Sequence, residues 1–129
     1  MNELWFRNFY KMGVLNGEIV KTLRYGNRTI QDNGKPAYHK NEVVLVKFTI
    51  PPYNKIPPIF DKDETVVKIN SLIVGNFRDF RLESLVKSDL QGFNRRAVRE
   101  NLQRLYNKEI KNWETFTLIE FEKFNTSQT

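Results

Sequence analysis

Cysteine is absent from the 129 residues, and histidine occurs once, at His39. The first absence excludes disulfides, thiolate zinc sites, iron–sulfur clusters and a cysteine nucleophile. The second excludes multi-histidine metal centres and paired-histidine acid–base chemistry, so neither a metal nor a cofactor is expected. Long apolar runs are missing as well. The longest reach four or five residues, as at Val43–Val46, against the ~20 that a membrane-spanning helix needs. Glu3, Arg7 and Lys11 interrupt the first twelve residues, which therefore do not read as a signal peptide. No repeat, low-complexity tract or Pro/Ser linker divides the chain. These absences predict a soluble protein of a reducing compartment, the cytoplasm, with no membrane partner and a monomer as the default state. What is present suffices for a core: 40% of residues are hydrophobic and ten are Phe. One domain is expected over residues 1–124, followed by a frayed polar tail at 125–129.

The charge is unevenly spread. Twenty-one Lys and Arg oppose fifteen Asp and Glu, a formal +6. Residues 1–60 carry nine basic and four acidic side chains, whereas 61–129 carry twelve and eleven. Lys21, Arg24, Arg28, Lys35 and Lys40 cluster with a single acid, Asp32. A patch of this kind attracts polyanions; a solvated basic face is the plainer alternative.

Strand and helix signals alternate irregularly along the chain. Leu4–Phe6 reads as a short strand. Phe9, Met12, Val14, Leu15 and Ile19 recur at helical spacing up to a stop at Asn16-Gly17. Ile19–Arg24 alternates as a strand with one buried face. Tyr25–Asn41, with Gly26, Asn27, Asp32, Asn33, Gly34 and Pro36, is a long loop of the functional kind. Glu42–Ile50 is a β-branched strand stopped by Pro51-Pro52. Tyr53–Glu64 reads as an exposed excursion, and Thr65–Phe77 as a strand bent at Gly75. A short helix holds Leu82, Leu85 and Val86. Asn94 caps a further one with an apolar face of Val98, Leu102, Leu105 and Tyr106. Phe116–Phe124 is the closing strand. The pattern predicts an α+β fold, a strongly curved mixed sheet or barrel with two to three flanking helices.

Three segments, in this order, resemble the ASCH domain of the PUA-like superfamily. The first is Leu15–Arg24, where the family has Gly, Lys two residues on, Glu or Thr three further and Arg two later; here these are Gly17, Ile19, Thr22 and Arg24. The second is Val74–Leu105, with Phe77-Arg78-Asp79-Phe80, Gln91-Gly92-Phe93 and a Leu-rich helix ending at Tyr106. The third is Phe116-Thr117-Leu118-Ile119-Glu120-Phe121, like the family's last strand. Asn41-Glu42 stands where the family often has Gly-Asp. The resemblance implies a small PUA-like sheet with a cleft for a nucleotide or nucleobase. It implies RNA binding, or amidohydrolysis of acetylated cytidine, or RNA cleavage, each attributed to some members. The amidohydrolases use a Lys, a Thr and a Glu, and these positions hold Ile19, Thr22 and Gln91. Only the Thr is kept. Isoleucine moves no proton, glutamine is neither acid nor base, and a threonine without a base is a poor nucleophile.

The expectation is therefore binding of RNA or a nucleotide in a basic cleft around Lys21–Arg24 and the following loop. Arg24 carries the most weight, since its fork suits a phosphate or stacks on a base. Thr22 shares its strand face. Lys21, Tyr25, Asn27 and Arg28 extend the surface, with Tyr25 able to stack a base. Asn76 lies at the rim, and Gln91 offers an amide for a base edge. Arg95, Arg96, Arg99 and Arg104 read as a solvated helix face, and His39 as a surface loop residue. The enzymatic alternative has Thr22 as nucleophile and Lys21, out of register by two residues, as its activator. A second alternative is a protein partner held by the Pro-rich loop Pro51–Pro58.

Overall fold

A computed structural model describes residues 1–32, 34–90 and 94–124. It contains five strands in one mixed sheet: β1 (Glu3–Arg7), β2 (Lys21–Tyr25), β3 (Val43–Ile50), β4 (Ile59–Asn76) and β5 (Thr115–Lys123), ordered β1-β3-β4-β5-β2. β1 runs parallel to β3, and every other neighbouring pair is antiparallel. Two helices complete it, α1 (Lys11–Leu15) and α2 (Arg95–Tyr106), with short 3-10 turns at Asn8–Tyr10, Phe77–Asp79 and Leu82–Leu85. This is the expected α+β architecture, a five-stranded sheet curled into a half-barrel. No helix among the described residues is long and apolar enough to cross a membrane.

β4 makes the curl. Its 18 residues pair first with β3, from Ile59 to Lys68, and then with β5, from Val67 to Asn76. Register slips between Lys47 and Thr49 and between Ile69 and Ser71 mark the irregularities that bend such a strand. Two expectations are corrected here. The slip lies at Ile69–Ser71 and not at Gly75, which pairs in register with Phe116. Ile59–Glu64 is strand and not excursion: Thr49 and Ile50 pair with Phe60 and Ile59, and the Lys11 ammonium holds Asp61 and Asp63 at 3.1 and 3.0 Å. The acids made this stretch look solvated, but a partner strand and one cation from α1 accommodate them.

Alternation along the strands sorts two cores. Leu4 and Phe6, Val44, Val46 and Phe48, Val67 and Ile69, and Ile119 and Phe121 fill the inside of the curl, with Val14 from α1 and Tyr38 from the long loop. Leu23, Phe116 and Leu118 face outward beneath α2, where they meet Phe77, Leu90, Val98 and Leu102. The helix begins at the expected cap, as the Asn94 Oδ1 accepts from the Ala97 N–H at 2.9 Å. α1 ends at Leu15, at the expected Asn16-Gly17 stop, while Phe9 falls in the 3-10 turn before it. Ile19 lies beyond it and folds back so closely that a Cβ on Gly13 would sit 2.7 Å from its Cδ1. The position where the family resemblance calls for lysine is thus a packing position.

Candidate functional site

β1 and β2 are the two free edges of the half-barrel, and one side chain spans the seam between them. From β2, Arg24 donates through Nε to the Thr22 hydroxyl at 2.8 Å and through Nη2 to the Trp5 carbonyl of β1 at 2.6 Å. Its guanidinium lies 4.9 Å from the centroid of the Phe6 ring. Two-residue spacing on a strand puts Thr22 and Arg24 on the same face. Because that face looks into the curl, the arginine is held on three sides.

The seam opens into a cleft of about 560 Å³. Arg7, Arg24, Arg28 and Arg104 line it together with one carboxylate, Asp89, and the aromatic residues Trp5, Phe6, Phe9, Tyr10 and Tyr106. Among the described residues none of the four arginines forms an ion pair; the pairs involve Lys11, Lys47, Lys68, Arg96 and Lys108. Burial pulls the Arg28 guanidinium below its ordinary pKa, and its Nε donates to the Tyr25 carbonyl at 2.9 Å. Asp89 sits opposite. Its Oδ2 accepts from the Thr22 hydroxyl at 3.2 Å, while its buried Oδ1 has no hydrogen-bond partner among the described residues. Burial pushes its pKa up to about 6, against the opposing influence of the Arg24 charge and the Thr22 hydroxyl. Burial first, and then the Asp89 charge, also raise Tyr10, with Arg7 opposing. No group of three or more metal-ligating side chains gathers among the described residues.

Of the residues singled out from sequence, Arg24 and Arg28 line the cleft, and Thr22 lies fully buried behind Arg24. Lys21 faces the other way: its ammonium reaches the Ser84 carbonyl at 3.3 Å, on the side of β2 turned from Thr22. Tyr25 packs against Tyr106 and Phe116, and its hydroxyl donates to Glu114. The Asn27 Oδ1 accepts from the Thr29 N–H at 2.9 Å and closes a turn. Asn76 and Asp79 cap the 3-10 turn Phe77–Asp79 reciprocally. None of these four borders the cleft. Gln91, like Gly92 and Phe93, lies outside the described residues.

Other wall residues were not legible beforehand. Arg104 had read as part of a solvated helix face, yet it and the 39%-exposed Leu105 turn to the cleft. Arg95 does something else again, donating to the Phe80 and Phe77 carbonyls at 2.6 and 3.1 Å. Arg7 and Asp89 were simply unmarked. For Asp89 the available signal was a lone acid between Leu85-Val86 and Leu90, close to the segment that resembles the family motif.

A curled mixed sheet flanked by helices, with a cleft at its open seam, is a small α+β fold of the PUA-like kind. The solved structures agree with it. An ASCH domain from Lactobacillus crispatus JV V101 superposes with a TM-score of 0.60 at 14% identity, over 95% of this chain and 78% of that one. A protein from Enterococcus faecalis V583 described by the family model DUF984 gives 0.62 at 6% identity, over 96% of this chain and 76% of that one. Hypothetical protein PH0355 gives 0.58 at 11%, over 95% and 97%. No protein-family model and no curated protein matches the sequence. The chain has the ASCH-type fold.

Proposed function

We propose that the protein binds a nucleotide or single-stranded RNA, with phosphate held by Arg24 and its neighbours. The observation that carries this reading is a cleft whose four arginines lack ion-pair partners among the described residues and whose walls are aromatic. Four arginines facing one carboxylate, and without ion-pair partners among the described residues, form a standing attraction for a phosphate, and aromatic walls suit the bases attached to it. Arg24 is already oriented. Nε and Nη2 are occupied by Thr22 and Trp5, and Nη1 makes no hydrogen bond among the described residues. Little side-chain freedom is then lost on binding. A hollow of about 560 Å³ is of ligand-binding size.

The hydrolase reading has one point in its favour, the Thr22 hydroxyl 3.2 Å from a carboxylate able to take its proton. Burial argues against it. Thr22 exposes no surface, and Arg24 Nε already occupies its oxygen. No substrate carbonyl reaches that oxygen without displacing Arg24. Binding is therefore preferred over catalysis.

The test is a titration of labelled single-stranded RNA, and of a mononucleotide, at rising salt. Binding that weakens with salt and falls at least about tenfold in Arg24→Gln is expected. Failure of both ligands to bind at low salt sinks the proposal. Incubation with acetylated cytidine checks the other reading: release of acetate, abolished by Thr22→Ala, would overturn the preference for binding.

A further inference from the structure

We propose that the ligand is a single-stranded polynucleotide, whose bases beyond the cleft stack along an aromatic row on the outside of the sheet. This rests on the nucleotide-binding reading and extends it. α2 covers the outward face of β5 and β2, where Leu23, Phe116 and Leu118 lie. On the other half of the sheet, β1 turns Trp5 outward with 43% of its surface exposed, in register with Lys47 of β3. The Trp5 ring meets Phe60 of β4 edge-on at 5.0 Å, and the Lys47 ammonium lies 4.0 Å from the Phe60 centroid. Beside them the Arg7 guanidinium sits 4.5 Å from the centroid of Tyr53, whose edge meets Phe9 at 6.3 Å. Phe9 is 61% exposed.

This row is continuous with the cleft, because Trp5, Arg7 and Phe9 belong to both. Two exposed rings, Trp5 and Phe9, and two half-buried ones, Phe60 and Tyr53, interleaved with cations suit a strand of nucleic acid, in which a flat base recurs beside each phosphate. Arg7 has no ion-pair partner among the described residues; the acids beside the row are Glu3, which accepts from the Trp5 Nε1–H at 2.9 Å, and Glu64, in register with Lys47. Lys47 is shared with Glu3 at 3.8 Å, a loose pair that a phosphate can replace.

The experiment compares a mononucleotide with a hexanucleotide, as oligouridylate and as oligothymidylate, on the full chain. The hexanucleotide is expected to bind at least about tenfold more tightly, one stacked base alone being worth roughly 5- to 150-fold. Phe60→Leu and Tyr53→Leu, at half-buried positions outside the cleft, should remove most of that gain, and Phe60→Leu should leave mononucleotide binding as it was. In a Trp113→Phe background, Trp5 emission should be quenched by the hexanucleotide. Equal affinity for the two lengths, or a length gain that survives both substitutions, would overturn the inference while leaving the cleft reading intact. Failure of every ligand to bind overturns both.

Discussion

Replacing Asp89 by asparagine separates the electrostatics of the cleft from its shape. The carboxyl is pushed up to about 6 from an ordinary 3.8, chiefly by burial. A folded-state value raised above the unfolded one means that the native protein holds the proton more tightly than the unfolded chain. The associated stability is fully present below pH ~4 and is lost as pH rises through about 6. Two units at ~1.4 kcal/mol each set a ceiling near 3 kcal/mol, and we expect ~2 kcal/mol after partial solvent access. Asparagine keeps the acceptor for the Thr22 hydroxyl and never charges. Urea unfolding of both proteins from pH 4 to pH 8 is the assay. The variant should gain on the wild type steadily between pH 4 and 6.5 and end ~2 kcal/mol more stable. Removing the one carboxylate should also tighten binding of a phosphodiester oligonucleotide several-fold at pH 7.5 and flatten its pH dependence. A stability difference that is constant across the range, or a variant that loses stability as pH rises, would refute the burial argument.

Arg24→Lys should weaken oligonucleotide binding nearly as much as Arg24→Gln, since an ammonium cannot hold Thr22 and the Trp5 carbonyl while facing a ligand; fluorescence anisotropy measures it, and the salt slope should drop by about 0.7 for the glutamine variant. Lys21→Ala should leave binding unchanged in the same titration, because its ammonium lies on the far side of β2. Glu114→Gln should destabilise the fold by about 1 kcal/mol at pH 7. Burial raises that carboxyl, but hydrogen bonds from Lys108, the Lys111 N–H and Tyr25 more than offset this and depress it to about 2. The difference should therefore vanish as pH falls from the ordinary carboxylate range toward 2, as followed by denaturant unfolding. Ile119→Ala, in the inner core with no exposed surface, should cost ~2–5 kcal/mol in the same measurement.

The strands with a clean period of two were legible in advance. β5 alternates Phe116 and Leu118 against Ile119 and Phe121, and these pairs enter different cores. The start of β4 was hidden, because Pro57-Pro58 and three acids within six residues carry every sign of a loop. Its pairing with Thr49 and Ile50 is a contact between residues distant in the chain, which local pattern does not encode. The site divides in the same way. Thr22 and Arg24 were readable as a same-face pair from their spacing alone.

Strand alternation, the caps and stops of the helices, the basic excess before residue 60 and the isoleucine at position 19, where the resemblance calls for lysine, follow from the order of residues by itself, since each depends on near neighbours. Which arginines converge does not. Arg7 on β1, Arg24 on β2, Arg28 in the loop and Arg104 on α2 meet only because β4 bends, carries the sheet round and brings its two free edges close enough for one guanidinium to span. That closure, and the burial that raises Asp89 beside it, are decided by tertiary packing, because desolvation and charge proximity depend on distance in space rather than along the chain.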